Sequence, residues 1–111
     1  MNNNDSEFTN LTRAQVGALQ ECFDFLRNGY EPFFDTTIEG FWHIFLKHKR
    51  NGSYITVKIY TDRYIIRKRG NWIKQDVLPD DGHLYRLSVD SDLNVTVTKM
   101  SRGVNKELVS G

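Results

Sequence analysis

The sequence predicts an α+β fold in which one N-terminal helix packs on a twisted antiparallel sheet of about five or six strands in meander order. Three observations lead to this prediction. Residues 11–29 have the apolar spacing and the end signals of an amphipathic helix. From Ile38 onward, apolar and polar residues alternate as they do in half-buried strands. Turn-forming pairs such as Asn51-Gly52 interrupt this alternation at short intervals.

Length and composition indicate one folded domain. The chain has 111 residues, of which 39% are hydrophobic and 13% aromatic, and this favours a folded chain over a disordered one. No apolar run is long enough to cross a bilayer, and the polar N-terminus has no signal-peptide pattern. The single cysteine, Cys22, excludes an internal disulfide and a cysteine-based zinc cluster. A cytoplasmic protein is the simplest interpretation.

The helix is predicted over residues 11–29, after a flexible polar leader over residues 1–10. The predicted α+β domain thus covers residues 11–111. Thr12 has the position of an N-cap, and Gln15 completes a capping box three residues later. Asn28-Gly29 ends the helix, because glycine readily adopts the left-handed conformation there. One stripe of apolar side chains must pack on the sheet: Val16, Leu19, Cys22, Phe23 and Leu26.

Residues 30–37 form a predicted connection, in which Phe33 and Phe34 either close one end of the core or form an exposed hydrophobic contact. The first hairpin follows, with Asn51-Gly52 as a two-residue type I′ turn. This turn places Leu46 opposite Val57. It assigns one set of side chains to the core beneath the helix: Trp42, Ile44, Leu46, Ile55, Val57 and Ile59.

Further strands follow at short turns. Thr61-Asp62 leads into a third strand with Tyr64 and Ile66 inward, and Gly70-Asn71 leads into a fourth. In the fourth strand, Trp72 and Ile73 are adjacent and both large and apolar, so their faces stay unassigned. Two more strands are predicted over residues 83–90 and 93–100, and residues 101–111 form either an edge strand or a helical turn.

This order of elements resembles the helix-on-curved-sheet arrangement of cystatin-like and nuclear transport factor 2-like proteins. The likeness is one of architecture, covers most of the chain and includes no diagnostic motif. A shared fold does not by itself imply a shared function.

The alternation also predicts an outer sheet face on which cations and aromatic rings are interleaved. Residues 47–74 carry nine basic residues against one acidic residue, Asp62, which is a local balance of +8 in a chain whose net charge is +1. Rings and cations together are typical of nucleic-acid-binding sheets and of protein interfaces. The predicted binding residues are Phe41, His43, Phe45, Lys47, Lys49, Tyr54, Lys58, Tyr60, Arg63, Arg67 and Arg69.

Catalytic and metal sites find little support in the sequence. The predicted register places His43 and His48 on opposite faces, and His83 begins a distant strand, so no two histidines converge as an acid and a base. Asp90 and Asp92 begin like a calcium loop but lack its glycine and its closing glutamate, and turn chemistry explains them better. Cys22 lies beside the apolar stripe, where a thiol acts as a small hydrophobe. We expect no enzyme activity, no metal and no small-molecule cofactor.

Two hypotheses follow for the function. The first is a small non-enzymatic binding protein of the inhibitor, immunity or accessory type, whose partner is an acidic protein. The second is a module for single-stranded DNA or RNA that uses the same face. The same face is also suited to closing a homodimer, because exposed phenylalanines are costly to leave in water.

Overall fold

A computed structural model describes residues 6–35, 42–69 and 71–100. Within these ranges the strands form two antiparallel sheets, one of order β1-β7-β8 and one of order β2-β3-β4-β5-β6. The predicted α+β class and the meander order of β2 to β6 are confirmed. No helix in these ranges is long and apolar enough to cross a membrane. The elements are β1 (Ser6–Leu11), α1 (Arg13–Arg27), β2 (Tyr30–Asp35), β3 (Trp42–His48), β4 (Tyr54–Ile59), β5 (Arg63–Lys68), β6 (Asn71–Val77), β7 (Leu84–Val89) and β8 (Val95–Met100).

Helix α1 begins and ends where its sequence signals predict. The Gln15 amide donates to Thr12 Oγ1 at 3.2 Å, and the Thr12 amide donates to Gln15 Oε1 at 2.9 Å, which confirms the capping box. Asn28 is the C-cap, and Gly29 follows it at a φ of 98°. Since only glycine adopts this φ without strain, the Asn-Gly pair ends the helix.

The helix packs between the two sheets. Its buried side chains contact the inner face of the five-stranded sheet and the inner face of the three-stranded sheet. The predicted core of the first hairpin is confirmed, because Ile44, Leu46 and Val57 are 0% exposed and the neighbouring core positions are also buried. Leu87 and Val89 bring the three-stranded sheet into the same core.

Two segments predicted as irregular are strands instead. Residues 6–10, assigned to the leader, belong to β1, which pairs with β7 and places Phe8 opposite Leu87. Residues 30–35, assigned to a connection, form β2 along β3. In both cases hydrogen bonding to a partner strand stabilises the extended conformation. For β1 that partner lies about eighty residues away in the sequence and therefore leaves no local signal.

The first hairpin has a different turn from the one predicted. Leu46 pairs with Ile55 and not with Val57, so the loop has four residues, Lys49 to Gly52. The Asn51 carboxamide oxygen accepts from the Ser53 amide at 3.0 Å and from Ser53 Oγ at 2.7 Å, which stabilises the wider loop. Because the register differs by two residues, each side chain keeps its predicted face.

Strand β5 follows the predicted turn at Thr61-Asp62, since the Tyr60 amide donates to the Arg63 carbonyl at 2.8 Å. The turn into β6 begins one residue earlier than predicted, because Lys68 pairs with Asn71. A bulge follows, in which Arg67 pairs with Trp72 and Ile66 with Lys74. This leaves Ile73 as the extra residue.

Strands β7 and β8 do not continue the meander. They join β1 in the separate three-stranded sheet. In β8, Val95 and Val97 are partly buried while Thr96 and Thr98 are exposed. The alternatives predicted for residues 101–111 lie outside the described residues.

Candidate functional site

The candidate site is the face of the five-stranded sheet that points away from helix α1, here called the outer face. The pairing of β3 with β4 and of β4 with β5 brings His43 opposite Lys58 and Lys58 opposite Ile65. The described side chains of the outer face are Glu31, Phe33, His43, Phe45, Lys47, Tyr54, Thr56, Lys58, Tyr60, Arg63, Ile65, Arg67, Trp72, Ile73, Gln75 and Val77.

Aromatic rings form a cluster at the β2–β4 side of this face. Phe33 pairs with Phe45 across the β2–β3 ladder. The Phe45 ring centroid lies 5.4 Å from that of His43 and 6.4 Å from that of Tyr54, and both ring pairs are tilted. Phe33 is 52% exposed and Tyr54 is 54% exposed. Phe45 therefore makes tilted ring contacts with two neighbours, while about half of the surface of Phe33 and of Tyr54 stays in water.

Cations surround these rings without matching acids. Among the described residues, no carboxylate lies within ion-pair distance of Lys47, Lys58 or Arg67. Arg63 contacts the carboxylate of Asp62 in the adjacent turn at 3.0 Å. In the part of the chain that is described, strands β3 to β6 carry no acidic side chain on the outer face. On β2, Glu31 lies opposite Lys47, so the described side chains of this face carry an excess of positive charge that is centred on β4 and β5.

Two arginines lie on aromatic rings of the same face. The Arg67 guanidinium is 4.7 Å from the centre of the Trp72 ring, and the Arg63 guanidinium is 4.4 Å from that of Tyr60. Contacts of this kind hold a cation in place over an apolar surface. Arg67 is therefore ordered before any partner arrives.

The predicted binding residues divide into three groups. His43, Phe45, Lys47, Tyr54, Lys58, Tyr60, Arg63 and Arg67 lie together on the outer face. Lys49 lies in the loop of the first hairpin, and Arg69 lies in the turn before β6 at a φ of 54°, so neither belongs to the regular part of the sheet. Phe41 lies outside the described residues.

Several residues of this face were not predicted as part of the site. Phe33 was left between core and surface, and Trp72 and Ile73 had no assigned face. The bulge explains the pair, because it turns both side chains outward, where they are 56% and 49% exposed. Val77, which is 58% exposed, follows in register opposite Arg63. Two adjacent large apolar residues at positions 72 and 73 were the sequence signal for this bulge. In a regular strand neighbouring side chains point to opposite faces, whereas a bulge lets both lie on one face.

The inner side of β6 is polar and forms a second cluster. Lys74 Nζ contacts Glu21 Oε2 of the helix at 2.5 Å and Asp76 Oδ2 at 3.9 Å, and the Tyr64 hydroxyl donates to Asp76 Oδ2 at 3.1 Å. Burial and this hydrogen bond raise the pKa of Tyr64 to about 12. The hydrogen bond to Glu21 raises the pKa of Lys74 to about 12. These groups satisfy one another's hydrogen-bonding capacity, and the contact between Lys74 and Glu21 links β6 to helix α1.

A cleft of about 400 Å³ adjoins this cluster, between α1, β6 and the three-stranded sheet. Its walls include the polar cluster, and Arg13, Tyr85 and Val97 line its other side. Among the described residues no carboxylate forms an ion pair with Arg13. The cleft therefore combines two basic side chains, Arg13 and Lys74, with two acidic ones, Glu21 and Asp76.

Nucleophiles and metal ligands do not assemble within the described ranges. Cys22 is buried in the core, and burial raises its pKa to about 12, which keeps the thiol protonated. His48 packs its ring 4.8 Å from that of Tyr30 on the five-stranded sheet, and His83 lies before β7 of the other sheet. No group of histidine, cysteine and acidic side chains suited to a metal ion occurs in the described residues. The Asp90 carboxylate accepts from the amides of Asp92 and Asn94, as a turn residue does.

Comparisons with protein-family models, with curated proteins and with solved structures find no match for the chain. The outer face is therefore the feature from which a function can be inferred.

Proposed function

We propose that the protein is a small, non-enzymatic binding protein that docks its outer face on an acidic surface of another protein. An inhibitor, immunity protein or accessory factor would act in this way. The observation that carries the proposal is the positive charge of Lys58 and Arg67, which form no ion pair with a described carboxylate, beside partly exposed aromatic rings. A protein with one thiol, buried in its core, is suited to the reducing cytoplasm, where we place it.

The arrangement of the rings favours a protein partner over a nucleic acid. Stacking on a base requires an open ring face. In this sheet, Arg67 and Arg63 lie over the rings of Trp72 and Tyr60, and Phe45 packs against both of its neighbouring rings. Protein interfaces instead use such clusters as preformed apolar surface with arginine at the centre.

The apolar side chains of β6 support the same proposal. Trp72, Ile73 and Val77 extend the apolar surface from the ring cluster to the edge of the sheet. Aliphatic side chains add contact area against a protein but offer nothing for a base to stack on. A contiguous exposed apolar surface of this kind marks an interaction site more often than a solvated face.

Site-specific photocrosslinking tests the proposal. A photoreactive phenylalanine analogue replaces Phe45 in one variant and Thr98 in a matched control, because Thr98 is exposed on the three-stranded sheet. Expressed in cells of the source organism, the variant at position 45 should crosslink to one protein that the variant at position 98 does not capture. Mass spectrometry identifies that protein for reconstitution. Equal adducts from both positions would contradict the proposal.

The reconstituted complex then tests whether the positive charge of the outer face contributes to affinity. Arg67→Glu should weaken binding by at least about tenfold, because a charge-assisted hydrogen bond is worth roughly 1.5–3 kcal/mol. Arg86→Glu is the control, since Arg86 lies on the three-stranded sheet and should leave affinity unchanged. Binding should also weaken with added salt, mainly through a slower association rate. Affinity that is indifferent to Arg67 and to salt would reject this face as the contact.

A single-stranded nucleic acid is the second candidate partner, and the local charge of residues 47–74 favours it. It predicts that affinity falls linearly with the logarithm of salt concentration, and that Arg67→Ala lowers both affinity and slope. Titration of the purified protein with single-stranded DNA and RNA at low salt decides the matter. A flat titration rejects this alternative, and a steep one with a slope set by several cations would displace the protein-partner proposal.

A further inference from the structure

The two edges of the five-stranded sheet differ in their backbone. On edge strand β2, the Lys49 amide donates to the Gly29 carbonyl at 2.9 Å, in register with the pairs Glu31–Lys47 and Phe33–Phe45. Because hydrogen-bonded positions alternate along an antiparallel ladder, Pro32 lies at a position that points away from the sheet. Proline has no N–H, so this edge lacks a donor where an added strand would need one.

Edge strand β6 has no such block. The Leu78 amide donates to the Asp62 carbonyl at 2.7 Å, in register with the pair Tyr64–Asp76. The same alternation directs the backbone N–H and C=O groups of Gln75 and Val77 away from β5. Among the described strands none pairs with that side of β6.

The side chains along this open edge are those an added strand would meet. On the outer face lie Trp72, Ile73 and Val77, each about half exposed. On the inner face the edge borders the cleft that Arg13 lines. Strands lie about 4.8 Å apart, so an added strand would run about 10 Å from β5. A glutamate on it and an arginine on β5 together span that distance, and β5 presents Arg63 and Arg67.

We propose that β6 binds an extended acidic segment of the partner as a sixth strand, paired through the backbone of Gln75 and Val77. The inference rests on the proposed function, because it specifies how the partner of the outer face is held. Backbone hydrogen bonds would supply affinity and direction, and alternate acidic side chains, which share one face of a strand, would meet the cations of β5 on the outer face. The excess of positive charge favours an acidic segment over a second, equally basic copy of this sheet.

A synthetic peptide of alternating glutamate and valine is the probe. It should bind the purified chain and slow hydrogen exchange at the Gln75 and Val77 amides by at least about tenfold, because each would then donate to the added strand. The same peptide methylated on alternate backbone nitrogens has the same charge but cannot complete the ladder. It should lose both the binding and the protection.

A proline substitution in β6 tests the same backbone hydrogen bonds by changing the protein instead of the peptide. Gln75→Pro removes the outward N–H of β6 and leaves the hydrogen bonds to β5 in place, as Pro32 does on β2. It should weaken peptide binding by at least about tenfold, whereas Gln75→Ala, which keeps the N–H, should bind like the wild type. Exchange protection on the unaltered chain gives an independent answer if the proline variant folds poorly.

The outcomes separate this inference from the function on which it rests. If Arg67→Glu abolishes peptide binding while the methylated peptide binds equally well and Gln75 stays unprotected, strand addition is wrong and docking on the outer face stands. Sedimentation that shows a dimer which Gln75→Pro dissociates would assign the edge to a second copy, and so would overturn an acidic partner strand. If neither peptide binds at low salt, the inference fails. The crosslinking at position 45 then decides separately whether the proposed function fails too.

Discussion

The inner and outer faces of the five-stranded sheet both carry large apolar side chains, yet they differ in what covers them. Strand β3 shows the contrast in three consecutive residues: Ile44 and Leu46 are 0% exposed beneath helix α1, and Phe45 between them is 39% exposed. The inner face is mainly apolar, and along β6 its polar side chains Lys74 and Asp76 pair with groups of the helix and of β5. The outer face mixes rings with cations, of which Lys58 and Arg67 form no ion pair with a described carboxylate.

This difference shows that apolar character alone does not distinguish core from surface in this chain. A one-sided antiparallel sheet ordinarily presents polar residues to water. Here the solvent side retains Phe33, Phe45 and Trp72, although a polar residue at any of these positions would suit an exposed strand. Folding gains little from those rings, so their presence supports a role in binding.

The largest expected effect separates neighbouring residues on the two faces. Leu46→Ala should lower the free energy of unfolding by about 2–5 kcal/mol, because it leaves a cavity under the helix. Phe45→Ala should lower it by less, roughly 1–2 kcal/mol, since the ring is 39% exposed and its removal leaves no closed cavity. Urea denaturation followed by circular dichroism measures both. Similar losses would mean that the outer ring cluster contributes to the fold as the core does.

The polar inner side of β6 predicts a loss of stability in alkali. An unfolded tyrosine releases its proton near pH 10, whereas Tyr64 in the folded chain has a pKa of about 12. Between these two pH values the unfolded state therefore binds fewer protons than the folded state. The raised pKa contributes roughly 2 kcal/mol to the free energy of unfolding below pH 10, and this contribution is lost as the pH rises through 12. Tyr64→Phe should flatten this decline.

Lys74 adds to the same decline, because the contact with Glu21 raises its pKa from 10.5 to about 12. Lys74→Met should therefore flatten the curve in part, and the double substitution with Tyr64→Phe should flatten it most. Denaturant titrations across this pH interval give the comparison. A decline of unchanged steepness in the double variant would show that neither proton is held by the fold.

A smaller effect is expected where the helix approaches the sheet most closely. A Cβ at Gly17 would lie 2.7 Å from Leu78 Cδ1 and 3.1 Å from Tyr64 Cε2. Gly17→Ala gains up to about 1 kcal/mol of helix propensity but forces this contact, which costs about 1–3 kcal/mol. We expect a net loss of about 1 kcal/mol in the free energy of unfolding.

Leu78→Ala supplies the background for a control, because it removes the side chain nearest to the added methyl. In that background Gly17→Ala should stabilise the protein, since the gain in helix propensity then remains while most of the clash is gone. If Gly17→Ala stabilises the wild-type chain as well, the close approach does not constrain residue 17.

Local signals predicted the parts of the fold that depend on local physics. The capping pair Thr12 and Gln15, the Asn28-Gly29 stop and the turn at Thr61-Asp62 were all visible in the sequence and are all present. The faces of β3, β4 and β5 followed from their alternation. The wrong loop length at Asn51 did not change these face assignments, because a register shift of two residues keeps every side chain on its face.

Features that depend on distant partners were not predictable in this way. Strand β1 forms because it pairs with β7, which lies far away in the sequence. Residues 6–10 are mostly polar and, without knowledge of that partner, are typical of a flexible leader. Trp72 lies on the outer face because it pairs with Arg67, and the bulge that follows leaves Ile73 as the extra residue and places Lys74 opposite Ile66. The predicted set of residues therefore covers the centre of the outer face and leaves out residues at both edges of the sheet.

The smallest expected effect concerns the contact between Arg67 and Trp72, and it decides what the outer face is for. Arg67→Gln should cost only about 0.5–1 kcal/mol of stability, which is the value of a cation over an exposed ring. It should shift the indole N–H resonance of Trp72 and leave that of Trp42 in place. Lys58→Gln is the control, because it removes a charge of the same face without a ring contact among the described residues.

The informative quantity is how this loss of stability compares with the loss of affinity for the partner identified by crosslinking. A cation held over a ring is already ordered, so a partner carboxylate gains its interaction at a small cost in entropy. Arg67→Gln should therefore weaken binding by more free energy than it removes from stability, and by more than Lys58→Gln does. A loss of stability without a loss of affinity would instead assign this contact to holding the bulged start of β6 against β5.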